Sequence, residues 1–319
     1  MMRRSDNCAR AATREVYGRT LAELGESNPD IVVLDADVSK STKTCYFAEK
    51  FPERFFNVGI AEQNEMLIAA GLAACGKIPF VSSFAVFNTI KVCEQIRTYV
   101  CYPNLNVKIA GSHAGLTAAR DGVTHQATED VAVLRAMPNL TIIAPCDDVS
   151  AARAVRLCAK HDGPVYLRLA RDPLPRIYDE RTPFQIGRTT TLRRGSDIAI
   201  IACGDVVHKA LEAAEILEKQ GVRAALLDMH TIKPIDVQAI VDAAQKAGAV
   251  LTVEDHSMIN GLGSAVCETL SENMPTPVKR LGLCDTFAES GEYNELLDKY
   301  RLGVKTIVAE AMQLIRQKK

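Results

Sequence analysis

Residues 59–84 read "GIAEQNEMLIAAGLAACGKIPFVSSF". After two glutamates, Glu62 and Glu65, comes a run of small apolar side chains without a charge. That pattern predicts a helix packed on nearly every side. "KIPFVSSF" (77–84) then reads as a strand. A helix feeding a strand at this spacing is one unit of a parallel sheet. The alternation extends both ways. "DIVVLDADV" (30–38) reads as a strand upstream. Downstream, "FNTIKVCEQIRTYV" (87–100) has helical periodicity and "NVKIAGSH" (106–113) is a strand. "QATEDVAVLRAM" (126–137) is a helix, "NLTIIAP" (139–145) a strand, "DDVSAARAVRLCAKH" (147–161) a helix and "GPVYLRLA" (163–170) a strand.

The alternation breaks at "RDPLPRIYDERTPFQIGRTTTLRRGSD" (171–197), where prolines and charges replace periodicity. This stretch reads as a linker over the surface. Strand and helix patterns then resume: "DIAIIACGD", "HKALEAAEILEKQG", "VRAALLD", "VQAIVDAAQKAG", "AVLTVED" and "GLGSAVCETLSE". The expected organisation is an α/β domain over 1–180, a linker over 181–195 and a smaller α/β domain over 196–319. The length of 319 residues suits two domains. Ligands of such sheets bind at the carboxyl ends of the strands.

Hydrophobic residues make up 47% and charged residues 24%, with a formal net charge of −1. That balance gives no electrostatic reason for a nucleic-acid or anionic-membrane partner. No apolar run approaches the roughly 18–20 residues that span a bilayer, and no apolar region follows the arginines of "MMRRSD", so a secretory leader is not expected. Ten cysteines form no C-x-x-C pair. They read as reduced, mostly buried thiols of a cytoplasmic protein, and no metal site is expected in the chain itself.

The Gly-containing turns "IACGDVVHKAL" and "EDHSMINGLGSAV" lack a full G-x-G-x-x-G and read as tight βα turns. The loop "GSHAGLTAARDGVTHQATED" (111–130) is different. It places two of the six histidines, Arg120, Asp121 and three glycines in 20 residues after a strand. Histidine can shuttle protons and donate hydrogen bonds to hydroxyl or phosphate oxygens. On these residues alone, a binding site and a well-bonded surface loop both fit.

Several long blocks together carry a family resemblance: "NVGIAEQNEM…AAGLA", "PFVSSFAVFNTIKVCEQIR", "SHAGLTAARDGVTHQATEDVAVLRAMPNLTIIAPCDD" and "DGPVYLRLAR". In order and spacing they resemble the pyrimidine-binding half of transketolase, and the remainder is similar to the C-terminal domain of that family. The family's G-D-G signature, which with a later Asn holds Mg²⁺ and the cofactor diphosphate, is missing from the sequence. The chain also opens where a pyrimidine-binding domain would open. The resemblance therefore implies the C-terminal section of a split transketolase. Thiamine diphosphate would be the cofactor, with Mg²⁺ held by an N-terminal, diphosphate-binding partner subunit in an α₂β₂ assembly.

The same resemblance assigns residues. Glu62 matches the glutamate facing N1′ of the thiamine pyrimidine, where a partly desolvated carboxyl can hold or share a proton. Glu65 has no counterpart and reads as a first-turn acid complementing the helix dipole. Phe87 is placed against the pyrimidine ring, Phe84 lines its pocket, and Asp37 lies near the cofactor at the subunit interface. His113, Asp121 and His125 match contacts to the sugar, with His125 the candidate for proton transfer. Arg14, Ser41 and Arg171 match the substrate-phosphate anchor, a pairing chemically suited to phosphate. Ile90 and Arg120 depart from the family pattern. The implied activity is transfer of a two-carbon ketol unit from a ketose phosphate to an aldose phosphate, in the pentose phosphate route or in a specialised catabolic one. A β subunit of a 2-oxoacid dehydrogenase E1 component needs no phosphate anchor, and a non-catalytic assembly subunit needs neither Glu62 nor the histidines.

Overall fold

The computed structural model describes residues 10–318. A seven-stranded sheet forms the first half. Its strands run, edge to edge, Thr231–Lys233, Thr141–Ile143, Val165–Arg168, Lys108–Ser112, Ile78–Phe84, Ile31–Asp35 and Phe55–Asn57. All neighbours are parallel except the first pair. "IVVLD" is buried at every position, as expected of β-branched residues covered on both faces. The second half holds a five-stranded sheet in the order Val278–Leu283, Val250–Ser257, Ile198–Ala202, Ala224–Asp228 and Thr190–Arg193, the last antiparallel. This is the mixed α/β architecture expected, with a larger parallel sheet followed by a smaller one. Among the described residues, no helix is long and apolar enough to cross a membrane.

Local chemistry sets the helix ends. Asp147 caps Asp148–Lys160 by accepting from the Ser150 amide at 2.8 Å, and Ser150 Oγ reciprocates to the Asp147 amide. Asp236 caps Val237–Ala247, which Gly248 ends at φ 67°.

Three expectations need correction. The span 181–195 is not simply a linker. Thr190–Arg193 is β-branched enough to pair with Ala224–Asp228, and Phe184 is buried in the core. Conversely Thr231–Lys233 crosses back to the edge of the first sheet, which so takes one strand from the second half. The helix expected over 87–100 is broken. Val92 leaves helical dihedrals, and Ile96–Cys101 continues as a wider turn that keeps Ile96 and Val100 in the core. The cysteines are less buried than expected. Of nine described, four are buried, and Cys75 and Cys284 are exposed. Cys8 lies outside the described residues.

The two halves meet over a buried ionic cluster. Arg168 Nε donates to Asp130 Oδ2 at 2.8 Å, and Tyr166 donates its hydroxyl to the same oxygen at 2.6 Å. Arg168 Nη2 reaches the backbone oxygens of Ala127 at 3.2 Å and Asp255 at 2.8 Å, the latter in the second sheet. Burial, the largest influence, pushes the Asp130 carboxyl up, but the charge of Arg168, the neighbouring His256 and the hydrogen bonds from Tyr166 and Arg168 together hold it below the usual range. Removing one partner of such a pair leaves an uncompensated charge. Arg168→Met is expected to lower stability by about 3–5 kcal/mol in urea unfolding at pH 7. A loss under about 1 kcal/mol, the range of exposed ion pairs, would remove this cluster as the joint between the halves.

Candidate functional site

Four neighbouring strands of the first sheet deliver the expected site residues from their carboxyl ends. Asp37 and Ser41 follow Ile31–Asp35, Phe84 ends Ile78–Phe84, His113 follows Lys108–Ser112, and Arg171 follows Val165–Arg168. Arg14 joins them from the first turn of the helix Thr13–Ser27. The result is a cavity of about 610 Å³ lined by Arg14, Lys40, Ser41, Lys43, Phe84, His113, Asp121, His125 and Arg171. Seven of the nine were expected from the sequence. Lys40 and Lys43 were not, because single lysines in a loop look like solvated charges.

The cavity wall is internally bonded. Arg14 donates from Nη1 to Ser41 O at 2.7 Å and to His113 Nε2 at 3.2 Å, and from Nε to Arg171 O at 3.0 Å. Because Arg14 can only donate, His113 Nε2 is the accepting nitrogen. The ring proton therefore sits on Nδ1, 2.9 Å from Ser112 Oγ. Arg171 Nη1 contacts Ala118 O at 3.1 Å and Asp121 Oδ2 at 3.4 Å. The loop bearing Ser41 is held from below by Asp35, whose carboxylate accepts from the Val38 amide, Thr42 Oγ1 and Thr44 Oγ1 at 2.7–2.8 Å. The lining holds four cations and one carboxylate, with Lys43 also paired to Glu15 at 3.4 Å just outside it, a cationic balance that suits an anionic end group.

The aromatic wall adjoins this cavity. Phe84 and Phe87 stack with centroids 6.1 Å apart and planes at 16°. Phe84 closes the strand Ile78–Phe84, and Phe87 lies in the helix Ala85–Thr89 that follows it. His125 meets both rings edge-on at 5.8 and 5.3 Å, and His113 lies 4.1 Å from Phe84.

Glu62 does not line the cavity. It is 3% exposed at the start of the helix Glu62–Ala74, and Lys91 Nζ donates to its Oε2 at 2.5 Å. The same ammonium sits 5.7 Å from the Phe87 ring centroid, so Lys91 links carboxylate and aromatic wall. Sequence reasoning missed Lys91. Asp37 is apart from the cavity, exposed, and bonded to Asn57 Nδ2 at 2.9 Å. Glu65 stands in the first helical turn, as expected, but is fully buried, with Oε1 accepting from the Ser82 amide at 3.3 Å. Burial, then the nearby Asp35 charge, push its carboxyl well above the usual range.

His113 shows the electrostatics most directly. Burial, then Arg14 and Arg171, push its imidazole down to about 3. It is a neutral hydrogen-bonding group and not a cation at neutral pH. In NMR titration its ring resonances are expected to stay constant from pH 8 to 5, and a midpoint near the ordinary histidine value would contradict this arrangement. The linked sign follows: between the unfolded value near 6.5 and about 3, the unfolded chain binds the extra proton. This histidine therefore subtracts stability as pH falls through that window.

Comparisons with known proteins agree with this geometry. Residues 9–176 match the family described as Transketolase, pyrimidine binding domain, and residues 187–307 match Transketolase, C-terminal domain. A "Putative transketolase C-terminal section" from Methanocaldococcus jannaschii is 46% identical, over 95% of this chain and 96% of that one. A 6-deoxy-6-sulfo-D-fructose transketolase subunit from Clostridium sp. strain MSTE9 is 43% identical over 96% and 95%. The solved structure described as "Split gene transketolase, inactive beta4 tetramer" is 50% identical and superposes with a TM-score of 0.90 over 97% of this chain and 99% of that one. The chain belongs to the transketolase family, as a subunit of its split form.

Proposed function

We propose that this chain is the pyrimidine-side subunit of a thiamine-diphosphate-dependent transketolase, moving a two-carbon ketol unit from a ketose phosphate to an aldose phosphate. The observation that carries the reading is the convergence of Arg14, Ser41, His113, Asp121, His125 and Arg171 on one cavity beside the Phe84–Phe87 wall. When bound, thiamine diphosphate supplies the nucleophilic carbon and electron sink that let the bond next to a ketose carbonyl break. The residues present fit its pyrimidine end. Phe87 offers a ring face, and the buried Glu62 carboxylate can exchange its Lys91 hydrogen bond for one to the pyrimidine nitrogen N1′. They do not fit its metal end. Among the described residues no group of three His, Cys, Asp or Glu side chains is placed to hold an ion. Mg²⁺ and the diphosphate are assigned to the partner subunit.

Arg14 and Arg171, with Lys40 and Lys43 nearby, bind the substrate's phosphate. Neutral His113 orients a sugar hydroxyl, Asp121 accepts from another, and His125 moves a proton at the carbonyl or hydroxyl oxygen. Asp37 approaches the cofactor from the interface. A β subunit of a 2-oxoacid dehydrogenase would have no use for these four cations.

Exposed apolar residues near Glu62 support a partner contact there. The helix Glu62–Ala74 is apolar beyond its first turn, yet it leaves Leu67 39% exposed and open space at Gly71. Ile60, two residues before Glu62, is 79% exposed, and Ile90, next to Lys91, is 39% exposed. Apolar exposure around a cofactor-binding carboxylate supports an obligate subunit contact there. An α₂β₂ assembly accommodates it.

The reading makes a two-variant test in the complex reconstituted with the diphosphate-binding subunit. Glu62→Ala is expected to remove exchange of the thiamine C2 proton. Arg171→Ala is expected to leave that exchange intact and raise KM for a phosphorylated ketose roughly 10- to 100-fold, with little effect on an unphosphorylated one. Normal exchange in the first variant, or equal losses for both sugars in the second, would discard the corresponding assignment.

A further inference from the structure

The loop from His113 to His125 is held in a conformation that its own sequence does not favour. His113 has φ 58°, Gly115 57°, Ala119 51° and Gly122 80°. For His113 and Ala119 this is a disfavoured region, which persists only when the surroundings over-determine it. Part of the support comes from the first sheet: the Ala114 amide donates to Leu169 O at 3.1 Å and the Gly115 amide to Ala127 O at 2.9 Å.

The buried remainder comes from the second half of the chain. The Leu116 amide donates to both carboxyl oxygens of Asp255, at 2.8 and 3.0 Å. Leu116 is fully buried and Asp255 is 1% exposed, so no water can substitute. A side chain at Gly115 would place its Cβ 2.3 Å from Asp255 Oδ2, so the approach needs glycine. Asp255 is itself fixed within the strand Val250–Ser257, and Arg168 Nη2 grips its backbone oxygen at 2.8 Å. The other links from loop to second half, Arg120 to Glu292 and Gln126 Nε2 to Glu289 O, lie nearer the surface and constrain less.

We infer that Asp255 is a positioning residue for the reaction: by holding the Leu116 amide, it sets where the loop presents His113, Asp121 and His125 to the sugar. This rests on the transketolase reading, and gives the second half of the chain a part in turnover although it lines none of the cavity. Burial and the neighbouring Asp205 carboxyl push Asp255 well above the usual range, which favours its neutral, protonated form beside Asp205. Asparagine reproduces that neutral group, with one oxygen for the Leu116 amide and an NH₂ for Asp205.

The test compares wild type, Asp255→Ala and Asp255→Asn in the reconstituted complex, reading thiamine C2 proton exchange and ketol transfer separately. Asp255→Ala is expected to keep the exchange rate and lose roughly 100-fold in kcat/KM for sugar transfer. Asp255→Asn should restore most of that loss. Gly115→Ala disturbs the same contact from the loop side and serves if Asp255→Ala does not assemble; it should show the same split. Transfer unchanged in the alanine variants, exchange and transfer falling in parallel, or Asn behaving as Ala would each overturn the inference. Wild-type transfer reports on the transketolase reading by itself, and the variant-to-wild-type ratios report on Asp255.

Discussion

Arg168 ends a central strand of the first sheet, and its guanidinium is buried where the two halves meet. It satisfies the Asp130 carboxylate of the first half, the Ala127 oxygen at the far end of the site loop, and the Asp255 oxygen of the second sheet. A buried charge tolerates little freedom, because any motion that unpairs it carries a large desolvation cost. The geometry of one cation therefore constrains the relative placement of the sheets and the loop between them, alongside the Thr231–Lys233 pairing and the Leu116–Asp255 contact. His113, Asp121 and His125 sit on that loop, so the constraint propagates directly to the cavity.

The cavity combines two kinds of surface that seldom adjoin by accident. One is cationic and prebonded, with Arg14 spanning Ser41, His113 and Arg171. The other is the stacked Phe84–Phe87 wall with Glu62 beyond it, capped by Lys91. The first suits the charged end of a sugar and the second a flat heterocycle. Between them lie the two histidines. Kinship to the C-terminal section and to split-gene subunits fits a chain that carries these two surfaces.

Much of this was legible in the sequence, for identifiable reasons. The parallel strands are short β-branched runs bounded by turns, and burial on both faces leaves them few alternatives. The site loop announced itself by its density of His, Asp and Gly. Arg14 and Arg171, 157 positions apart, could be paired only through family resemblance, since nothing local marks either. Two short edge strands were not legible. Thr190–Arg193, at the edge of the second sheet, and Thr231–Lys233, which crosses to the first, gain their pairing from tertiary context and not from pattern. The burial of Glu65 was not legible because a first-turn acid looks the same whether it faces water or a neighbouring strand. Lys91, Lys40 and Lys43 were missed because a flexible cation shows its partner only in three dimensions.

The central claim is that this chain holds half of a cofactor site. Titration calorimetry of thiamine diphosphate with Mg²⁺ into the purified chain, and then into the chain mixed with its diphosphate-binding subunit, tests it most directly. The account predicts no tight binding to the chain alone and stoichiometric binding to the complex. Tight, Mg²⁺-dependent binding by the isolated chain would contradict it.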